Sequence, residues 1–272
     1  LGQSHAGIMV LDAMSRIGAP AAEVLGLRAD QLFEIGLTPN RADAMSHLGV
    51  ARDLAVALRY RTGREVSARV PDVSAFAKDD DARRVSVDVQ APHAAPRYAG
   101  LTLTNVKVGP SPEWLRERLN SIGIKPINNV VDITNYVQHE LGQPLHAFDA
   151  DRIAEDKIIV RYMPTGTAFV SLDGKERKLD GEDLMITDPN GPLCIAGVFG
   201  GLESGVTEGT TAVFLESACF DAISVRRTAR RHALNTDASF RFERGVDPEI
   251  TVLALKRAAL LLREVAGAKV SA

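Results

Sequence analysis

Three helices with clear start and stop signals, set among many short strand signals, constrain the fold of this chain most strongly. In the first, Val50, Leu54 and Leu58 recur every fourth residue, which is typical of a helix with one apolar face. A capping residue precedes each helix and a glycine follows it. The helices are predicted between Ser46 and Gly63, between Ser111 and Gly123, and between Asp247 and Gly267.

Short apolar or alternating runs between these helices predict β-strands. They lie at residues 85–89, 98–103, 158–160, 168–172, 184–187, 193–198 and 212–215. The first two are expected to pair. Asp173-Gly174 predicts a hairpin turn, and residues 188–191 predict a second turn. Because strands and helices do not alternate regularly, the sequence predicts an α+β fold of mixed β-sheets with flanking helices.

The polar stretch from residue 60 to 81, which ends in three consecutive aspartates, is the predicted linker. It separates a small N-terminal piece, residues 1–65, from a larger domain, residues 66–272. The chain starts at Leu1 without an initiator methionine and stops abruptly at Ala272. These ends predict a piece excised from a longer protein.

Composition narrows the class of protein. The chain has 45% hydrophobic and 25% charged residues, which is typical of a soluble globular protein. No run reaches the roughly 18 to 20 apolar residues of a membrane span, and no signal peptide is visible, so no membrane partner is expected. A net charge of −3 argues against a protein that binds nucleic acid mainly through phosphate contacts, because such proteins usually carry a surplus of basic residues. Either nucleic acid is not a partner, or it is bound at a small part of this chain's surface or by another part of a larger protein.

The two cysteines, Cys194 and Cys219, both lie in apolar stretches, and no CxxC motif occurs. Buried reduced thiols are the favoured interpretation, and one disulfide is the alternative. No metal site is predicted. The GxSxG, HExxH and Walker A motifs are absent, as is GxGxxG after a strand, which argues against a stand-alone hydrolase, kinase or dehydrogenase.

Three segments concentrate polar groups, glycines or basic residues. Small polar side chains at 127–149 either satisfy buried backbone groups or form a pocket wall. Glycines at 197–201 allow a ligand to approach the backbone closely, or simply make a tight turn. The third segment is a basic cluster, which suits RNA phosphate, an acidic partner or a solvated helix face. Its members are Arg226, Arg227, Arg230, Arg231, His232, Arg241 and Arg244.

Five motifs in this order resemble the β-subunit of bacterial phenylalanyl-tRNA synthetases. They are TPNRAD at 38–43 with GVARD at 49–53, NVVDITNY at 129–136, GQPLHAFD at 142–149, FGG at 199–201, and RRH through TDAS to RFERGVDP at 230–248. The likeness extends from about residue 1 to residue 270. It implies that residues 1–65 are the second half of a small N-terminal α/β domain. Residues 66–272 resemble the editing domain.

In this family the editing domain hydrolyses tyrosine that was mistakenly attached to the phenylalanine tRNA. The resemblance implies two partners, the 3′ end of that tRNA and the α-subunit of a parent enzyme with two α and two β chains. Aminoacylation, which uses ATP and magnesium, belongs to the α-subunit, so no cofactor is expected in this chain. Proofreading is needed because an apolar pocket cannot strongly reject a substrate that merely adds a hydroxyl.

The resemblance also implies a set of site residues. Glu216 matches the glutamate that senses the tyrosine hydroxyl, since an ionised carboxylate accepts a short hydrogen bond from a phenol. A structural ion pair with an arginine is the alternative. His146 matches the histidine beside the reacting ester, and Gly200 matches the glycine that leaves room for the substrate. The remaining matches line the pocket: Thr134 and Asn135 on one side, Thr236 and Ala238 on the opposite wall.

The mechanism needs an attacking water and donors for an oxyanion. His146, with a pKa expected near neutrality, is a candidate to orient or deprotonate that water, or to hold the terminal adenosine. The amides of Gly200 and Gly201 are candidate oxyanion donors. The RNA-binding candidates are Arg230, Arg231, Arg241 and Arg244. Two other functions stay open, a non-catalytic scaffold that docks tRNA or the α-subunit, and a free-standing protein that binds an amino acid or peptide.

Overall fold

The computed structural model describes residues 10–26 and 30–271, which belong to two units. In the first unit, residues 1–35, one short helix is described, α1 (Ala21–Val24), which has no buried residue. The second unit, residues 36–272, holds every other element below. The domain boundary predicted at residue 65 lies inside this second unit, and the assignment of residues 1–65 as half of a domain stays a prediction.

Six further α-helices lie in the described part of the second unit. They are α2 (His47–Thr62), α3 (Glu113–Ser121), α4 (Asn129–Leu141), α5 (Ala222–Arg231), α6 (Asp237–Phe242) and α7 (Ile250–Ala266). The predicted start of α2 is confirmed, because the Ser46 side chain accepts a hydrogen bond from the Gly49 N–H at 3.0 Å. Its predicted end is confirmed by Gly63, whose φ of 67° suits glycine.

Two predicted helix caps are wrong. The Ser111 hydroxyl donates to Asp132 Oδ2 at 2.5 Å instead of capping α3, which begins two residues later. Asp247 accepts from the Glu249 N–H in a turn that precedes α7. Helix α4 was not predicted, because its central residues are rich in β-branched side chains. The Asn128 side chain overrides that tendency by accepting hydrogen bonds from two N–H groups of the first turn.

The described strands form three sheets, which together with the helices confirm the predicted α+β fold. A five-stranded sheet has the order β1 (Ser86–Val89), β4 (Lys157–Tyr162), β7 (Leu184–Thr187), β8 (Pro192–Ile195), β9 (Phe199–Gly200). A four-stranded sheet has the order β11 (Lys269–Val270), β2 (Arg97–Thr104), β10 (Val213–Cys219), β3 (Leu145–Asp149). The third is the hairpin of β5 (Ala168–Val170) and β6 (Glu176–Lys178).

The two turns predicted from sequence are confirmed. Gly174, with a φ of 73°, lies in the loop between the antiparallel strands β5 and β6, and residues 188–191 join the antiparallel strands β7 and β8. The predicted pairing of the first two strands is wrong. β1 pairs in parallel with β4, while β2 pairs with β10 in the other sheet. The connection between β1 and β2 crosses from one sheet to the other. It packs into the core through three buried alanines, Ala91, Ala94 and Ala95.

Two apolar clusters cover the two faces of the four-stranded sheet. On β10, Val213 and Leu215 belong to a cluster with α4 and α7, whereas Phe214 and Ala218 belong to a cluster with the five-stranded sheet. Side chains alternate between the faces of a strand, so residue 216 faces the five-stranded sheet. This alternation places the candidate site between the two sheets.

The last strand closes the four-stranded sheet and is tied to residues far earlier in the chain. β11 pairs with β2. The Asp79 N–H donates to the Val270 carbonyl at 2.8 Å, and the Ser271 hydroxyl donates to Asp80 Oδ1 at 2.8 Å. Residues 79–80 and 270–271 are therefore neighbours. Among the described helices, none is long and apolar enough to cross a lipid bilayer.

Candidate functional site

Glu216 lies in the middle of β10 and is flanked by a histidine on one side and a glycine on the other. It is directly opposite His146 of β3 and directly opposite Gly100 of β2. By strand alternation Glu216 shares a face with Phe214 and Ala218, and His146 shares a face with Phe148, so both point toward the five-stranded sheet. The predicted sensor and the predicted catalytic histidine are thus brought together by strand register.

The Glu216 carboxyl is buried, with the residue 5% exposed. Its hydrogen-bond partner is the hydroxyl of Tyr98, which donates to Oε2 at 2.5 Å, rather than an arginine. Burial raises the pKa of Glu216 from 4.5 to about 7, and the Tyr98 hydrogen bond acts in the opposite direction. The expectation that Glu216 is ionised therefore needs correction, because the neutral acid and the carboxylate are both populated at neutral pH.

Cys194 of β8 faces the same centre from the five-stranded sheet. Burial raises the pKa of its thiol, and the charge of Glu216 raises that pKa further. Its Sγ donates weakly, at 3.4 Å, to the carbonyls of Ile195 and Phe199. Both cysteines are free and buried, which confirms the interpretation as reduced thiols. Cys194 therefore adds no charge to the centre at neutral pH.

His146 presents a nitrogen that has no hydrogen-bond partner among the described residues. Nε2 is buried, and the ring packs edge-on against Phe148, with centroids 4.4 Å apart. Burial lowers the pKa of His146 to about 4, so the expectation of a pKa near neutrality is wrong. The imidazole is neutral at pH 7. A neutral ring can accept a hydrogen bond at one nitrogen and donate at the other.

Position 200 in β9 accommodates only glycine, because the side chains of His146 and Leu172 lie close to its backbone. A Cβ at this position would lie 2.9 Å from His146 Cε1 and 2.8 Å from Leu172 Cδ1, both shorter than ordinary contacts. Leu172 is 47% exposed, and its backbone N–H donates to the Gly200 carbonyl at 3.0 Å. Gly200 therefore lies beside the His146 ring, and its predicted role of leaving room for a substrate stays a prediction.

Gly201 has a structural role that corrects its prediction as an oxyanion donor. Its N–H donates to the Leu193 carbonyl at 2.9 Å and is therefore already used. A Cβ there would lie 2.5 Å from the same carbonyl oxygen, which explains the glycine by backbone packing.

Thr236 and Ala238, predicted for the opposite wall, lie at the start of α6. Thr236 caps this helix, forming a reciprocal pair of hydrogen bonds with Ser239, and its hydroxyl also donates to the Val198 carbonyl at 2.9 Å. Ala238 packs against the same apolar cluster as Tyr98 and Phe199. The start of α6 is thus fastened to the turn between β8 and β9.

Thr134 and Asn135 lie on α4, whose apolar residues pack on the other face of the four-stranded sheet. The Thr134 hydroxyl donates to the Val131 carbonyl at 2.7 Å. Neither side chain is hydrogen bonded to Glu216 or His146. Their predicted place in the pocket lining stays a prediction.

Three of the four predicted RNA-binding arginines have partners inside the protein. Arg231 and His232 are bound to the fully buried Asp183. Arg241 is 8% exposed and donates to the Asp237 carbonyl, and Arg244 lies 3.6 Å over the Phe240 ring. These contacts hold helices in place, and the RNA contacts of Arg231, Arg241 and Arg244 stay predictions.

The free charges of the basic cluster lie on α5 instead. Arg226, Arg227 and Arg230 are exposed, and within the described ranges none of them has a hydrogen bond or ion pair to another side chain. Their spacing places them on the solvent side of the helix, opposite the buried Val225 and Ala229. Among the four arginines predicted to bind RNA, Arg230 is the one whose side chain has no partner within the described residues.

Sequence reasoning missed Tyr98, Cys194 and Leu172. Tyr98 had a usable signal, because it alternates with Gly100 in a predicted strand and so shares one face with it. Cys194 and Leu172 had none, since their closeness to Glu216 and Gly200 depends on how two separate sheets pack. Over residues 10–26 and 30–271, no three His, Cys, Asp or Glu side chains are grouped as a metal would require.

The fold and the site define an α+β domain with a buried carboxyl group and a neutral histidine between two sheets. A family model described as the B3/4 domain matches residues 94–267, and the chain belongs to this family. The matched span includes β2, β3, β8, β9 and β10 and therefore the whole centre around Glu216.

The relatives confirm the resemblance to the phenylalanyl-tRNA synthetase β-subunit. The chain is 54% identical over 271 residues to the phenylalanine--tRNA ligase beta subunit of Bacteroides fragilis, covering 100% of this chain and 33% of that protein. It is 56% identical over 268 residues to the corresponding subunit of Porphyromonas gingivalis, covering 98% and 32%. The chain thus spans about a third of the length of these relatives.

A solved structure described as an N-terminal fragment of the phenylalanyl-tRNA synthetase β-subunit from Pyrococcus horikoshii is also similar. It shares 17% identity and a TM-score of 0.47, over 85% of this chain and 60% of that one.

Proposed function

We propose that this chain is the editing part of a phenylalanine-tRNA ligase β-subunit and hydrolyses tyrosine from mischarged phenylalanine tRNA in the cytoplasm. The observation that carries the proposal is the hydrogen bond of Glu216. A buried carboxyl in this site already accepts a hydrogen bond from a phenol hydroxyl, that of Tyr98, at 2.5 Å. The chemistry needed to recognise the side chain of tyrosine is therefore present.

Selectivity follows from the chemistry of burial. A phenylalanyl ester brings no donor to Glu216, whereas a tyrosyl ester adds a hydrogen bond to a charged or partly charged group. Such a bond contributes about 1.5–3 kcal/mol, which corresponds to a preference of about 10- to 100-fold.

His146 is suited to position a water molecule. Its buried Nε2 has no partner among the described residues and can accept a hydrogen bond when the proton is on Nδ1. A group with a pKa of about 4 is a weak base at neutral pH, so His146 orients the water rather than removing its proton. Gly200 lets the backbone of β9 pack directly against the His146 ring, where a methyl group would collide with His146 and Leu172. Ester hydrolysis then proceeds through a tetrahedral intermediate.

The test is deacylation of the phenylalanine tRNA charged with tyrosine or with phenylalanine. The unmodified chain is compared with Glu216→Ala and with a matched control, Glu208→Ala, which removes an exposed carboxyl elsewhere. We expect tyrosine release by the unmodified chain and by the control, and a loss of about 10- to 100-fold in Glu216→Ala. Equal release of tyrosine and phenylalanine by all three proteins would contradict the assignment of Glu216.

A second candidate function, docking of RNA without catalysis, is favoured by the free arginines of α5. Binding of uncharged tRNA to the unmodified chain is titrated against salt and compared with a triple variant carrying Arg226→Ala, Arg227→Ala and Arg230→Ala. Each lost phosphate contact lowers the salt slope by roughly 0.7 to 0.9. Arg116→Ala, on the exposed side of α3, is the control. Tight binding without any deacylation would favour docking over editing.

The whole relatives are ligase subunits, and by analogy we propose that this chain works beside an α-subunit that performs aminoacylation. The chain would then act after the transfer of the amino acid to tRNA.

A further inference from the structure

Tyr98 reaches Glu216 because of the register between β2 and β10. Tyr98 is directly opposite Ala218, and Glu216 is directly opposite Gly100, so the two side chains lie diagonally across the strand pair on one face. Gly100 has no side chain to intervene, and a Cβ there would lie 2.3 Å from the Phe214 ring. The sheet therefore leaves Tyr98 a direct path to the carboxyl.

The hydrogen bond uses only one of the two carboxyl oxygens. Tyr98 donates to Oε2, and no described residue donates to Oε1. A carboxylate has about four acceptor positions and can take a second donor. The terminal torsion of a glutamate is broad, so a carboxyl without Tyr98 would sample several orientations. The Tyr98 hydroxyl holds one of them.

We propose that Tyr98 is a positioning residue that orients Glu216, leaving Oε1 to receive the hydroxyl of the substrate. This inference rests on the proposed editing function. Tyr98 also keeps the buried carboxyl partly satisfied when no substrate hydroxyl is present. Specificity for tyrosine then depends on two phenols that share one carboxyl, one from the protein and one from the substrate.

The groups around Glu216 limit how the pair can titrate. Tyr98 faces it from β2, His146 from β3 and Cys194 from β8. At neutral pH His146 is uncharged, and burial raises the pKa of both Tyr98 and Cys194 well above their usual values. Glu216 is therefore the one group of the four that titrates near pH 7. Because the Tyr98 hydrogen bond lowers the pKa of Glu216, loss of the hydroxyl raises it.

The test compares Tyr98→Phe with Tyr162→Phe, a control that removes a partly buried hydroxyl from β4, away from this centre. The ratio of kcat/KM for tyrosine release to that for phenylalanine release is measured between pH 5.5 and 8.5. In Tyr98→Phe we expect the ratio to fall about tenfold and its pH midpoint to rise by about one pH unit, the effect of losing one hydrogen bond to a charged group. The control should keep both values.

A direct titration separates positioning from simple loss of structure. The Glu216 carboxyl is followed by ¹³C NMR in glutamate-labelled protein, and its resonance is identified by its absence in Glu216→Gln. A higher pKa in a folded Tyr98→Phe supports the proposal. Unchanged selectivity and an unchanged midpoint would overturn it while leaving the editing function intact. No selective release by the unmodified chain would overturn both, which distinguishes the two failures.

Discussion

Replacement of Glu216 by glutamine is expected to stabilise the protein at alkaline pH although it removes the proposed sensor. The unfolded carboxyl has a pKa of 4.5, and burial raises the pKa in the folded protein to about 7. Between these two values the folded state binds more protons than the unfolded state. The free energy of unfolding therefore falls as the pH rises from about 4.5 and levels off above pH 7.

The magnitude follows from the same two pKa values. A tenfold change in an acid constant corresponds to about 1.4 kcal/mol, so the ionised Glu216 lowers the free energy of unfolding by about 3 kcal/mol at pH 8 relative to pH 4. Glutamine has nearly the same volume, carries no charge at either pH, and can still accept the hydrogen bond from Tyr98. The difference between variant and unmodified chain should therefore grow from near zero at pH 4 to about 3 kcal/mol at pH 8.

Urea unfolding at several pH values measures this difference, by linear extrapolation of the free energy to zero urea. Glu208→Gln is the matched control, since it makes the same chemical change at an exposed position and should show no trend with pH. A difference for Glu216→Gln that stays constant between pH 4 and 8 would refute the argument, because it would mean that burial does not disfavour the carboxylate.

Three further substitutions test other parts of the structure. Gly200→Ala should slow tyrosine release at least about tenfold and destabilise the fold by about 1–3 kcal/mol, because its methyl group would collide with His146 and Leu172. A deacylation assay measures the rate and thermal melting measures the stability. Normal activity would show that the His146 ring can move away from the methyl group. Asp183→Asn should lower the free energy of unfolding by about 3 kcal/mol through loss of a buried ion pair, and a urea midpoint equal to that of the unmodified chain would contradict this. Thr236→Val should cost about 1 kcal/mol by removing a helix cap, and an unchanged thermal midpoint would show that the cap contributes nothing.

Local signals predicted much of the secondary structure and little of its pairing. Ser46 and Gly63 bound α2 as predicted, because capping depends on a few adjacent residues. The partner of β1 could not be read from the chain. It is β4, about 70 residues away, and parallel pairing across such a distance depends on how the sheets pack rather than on either strand alone.

The candidate site shows the same division. The apolar neighbours of Glu216 predicted its burial correctly. The pKa of His146 could not be predicted, because it depends on burial by residues from β9 and on Phe148, which the sequence does not reveal. The partner of Arg231 could not be predicted from the basic cluster, since Asp183 lies 48 residues earlier in the sequence and is completely buried. A run of arginines does not show which of them have partners.

The hydrogen bonds between residues 79–80 and 270–271 hold together two segments that lie far apart in the sequence. The segment from Asp79 to Ser271 contains every strand of the three sheets and its two ends are neighbours, whereas α2 of the same unit precedes it. A domain with adjacent ends can be inserted into a larger chain without pushing the flanking parts away from one another. It can also be pulled open at that place first, since a force applied to both flanks acts on two-residue β11 before it reaches the interior.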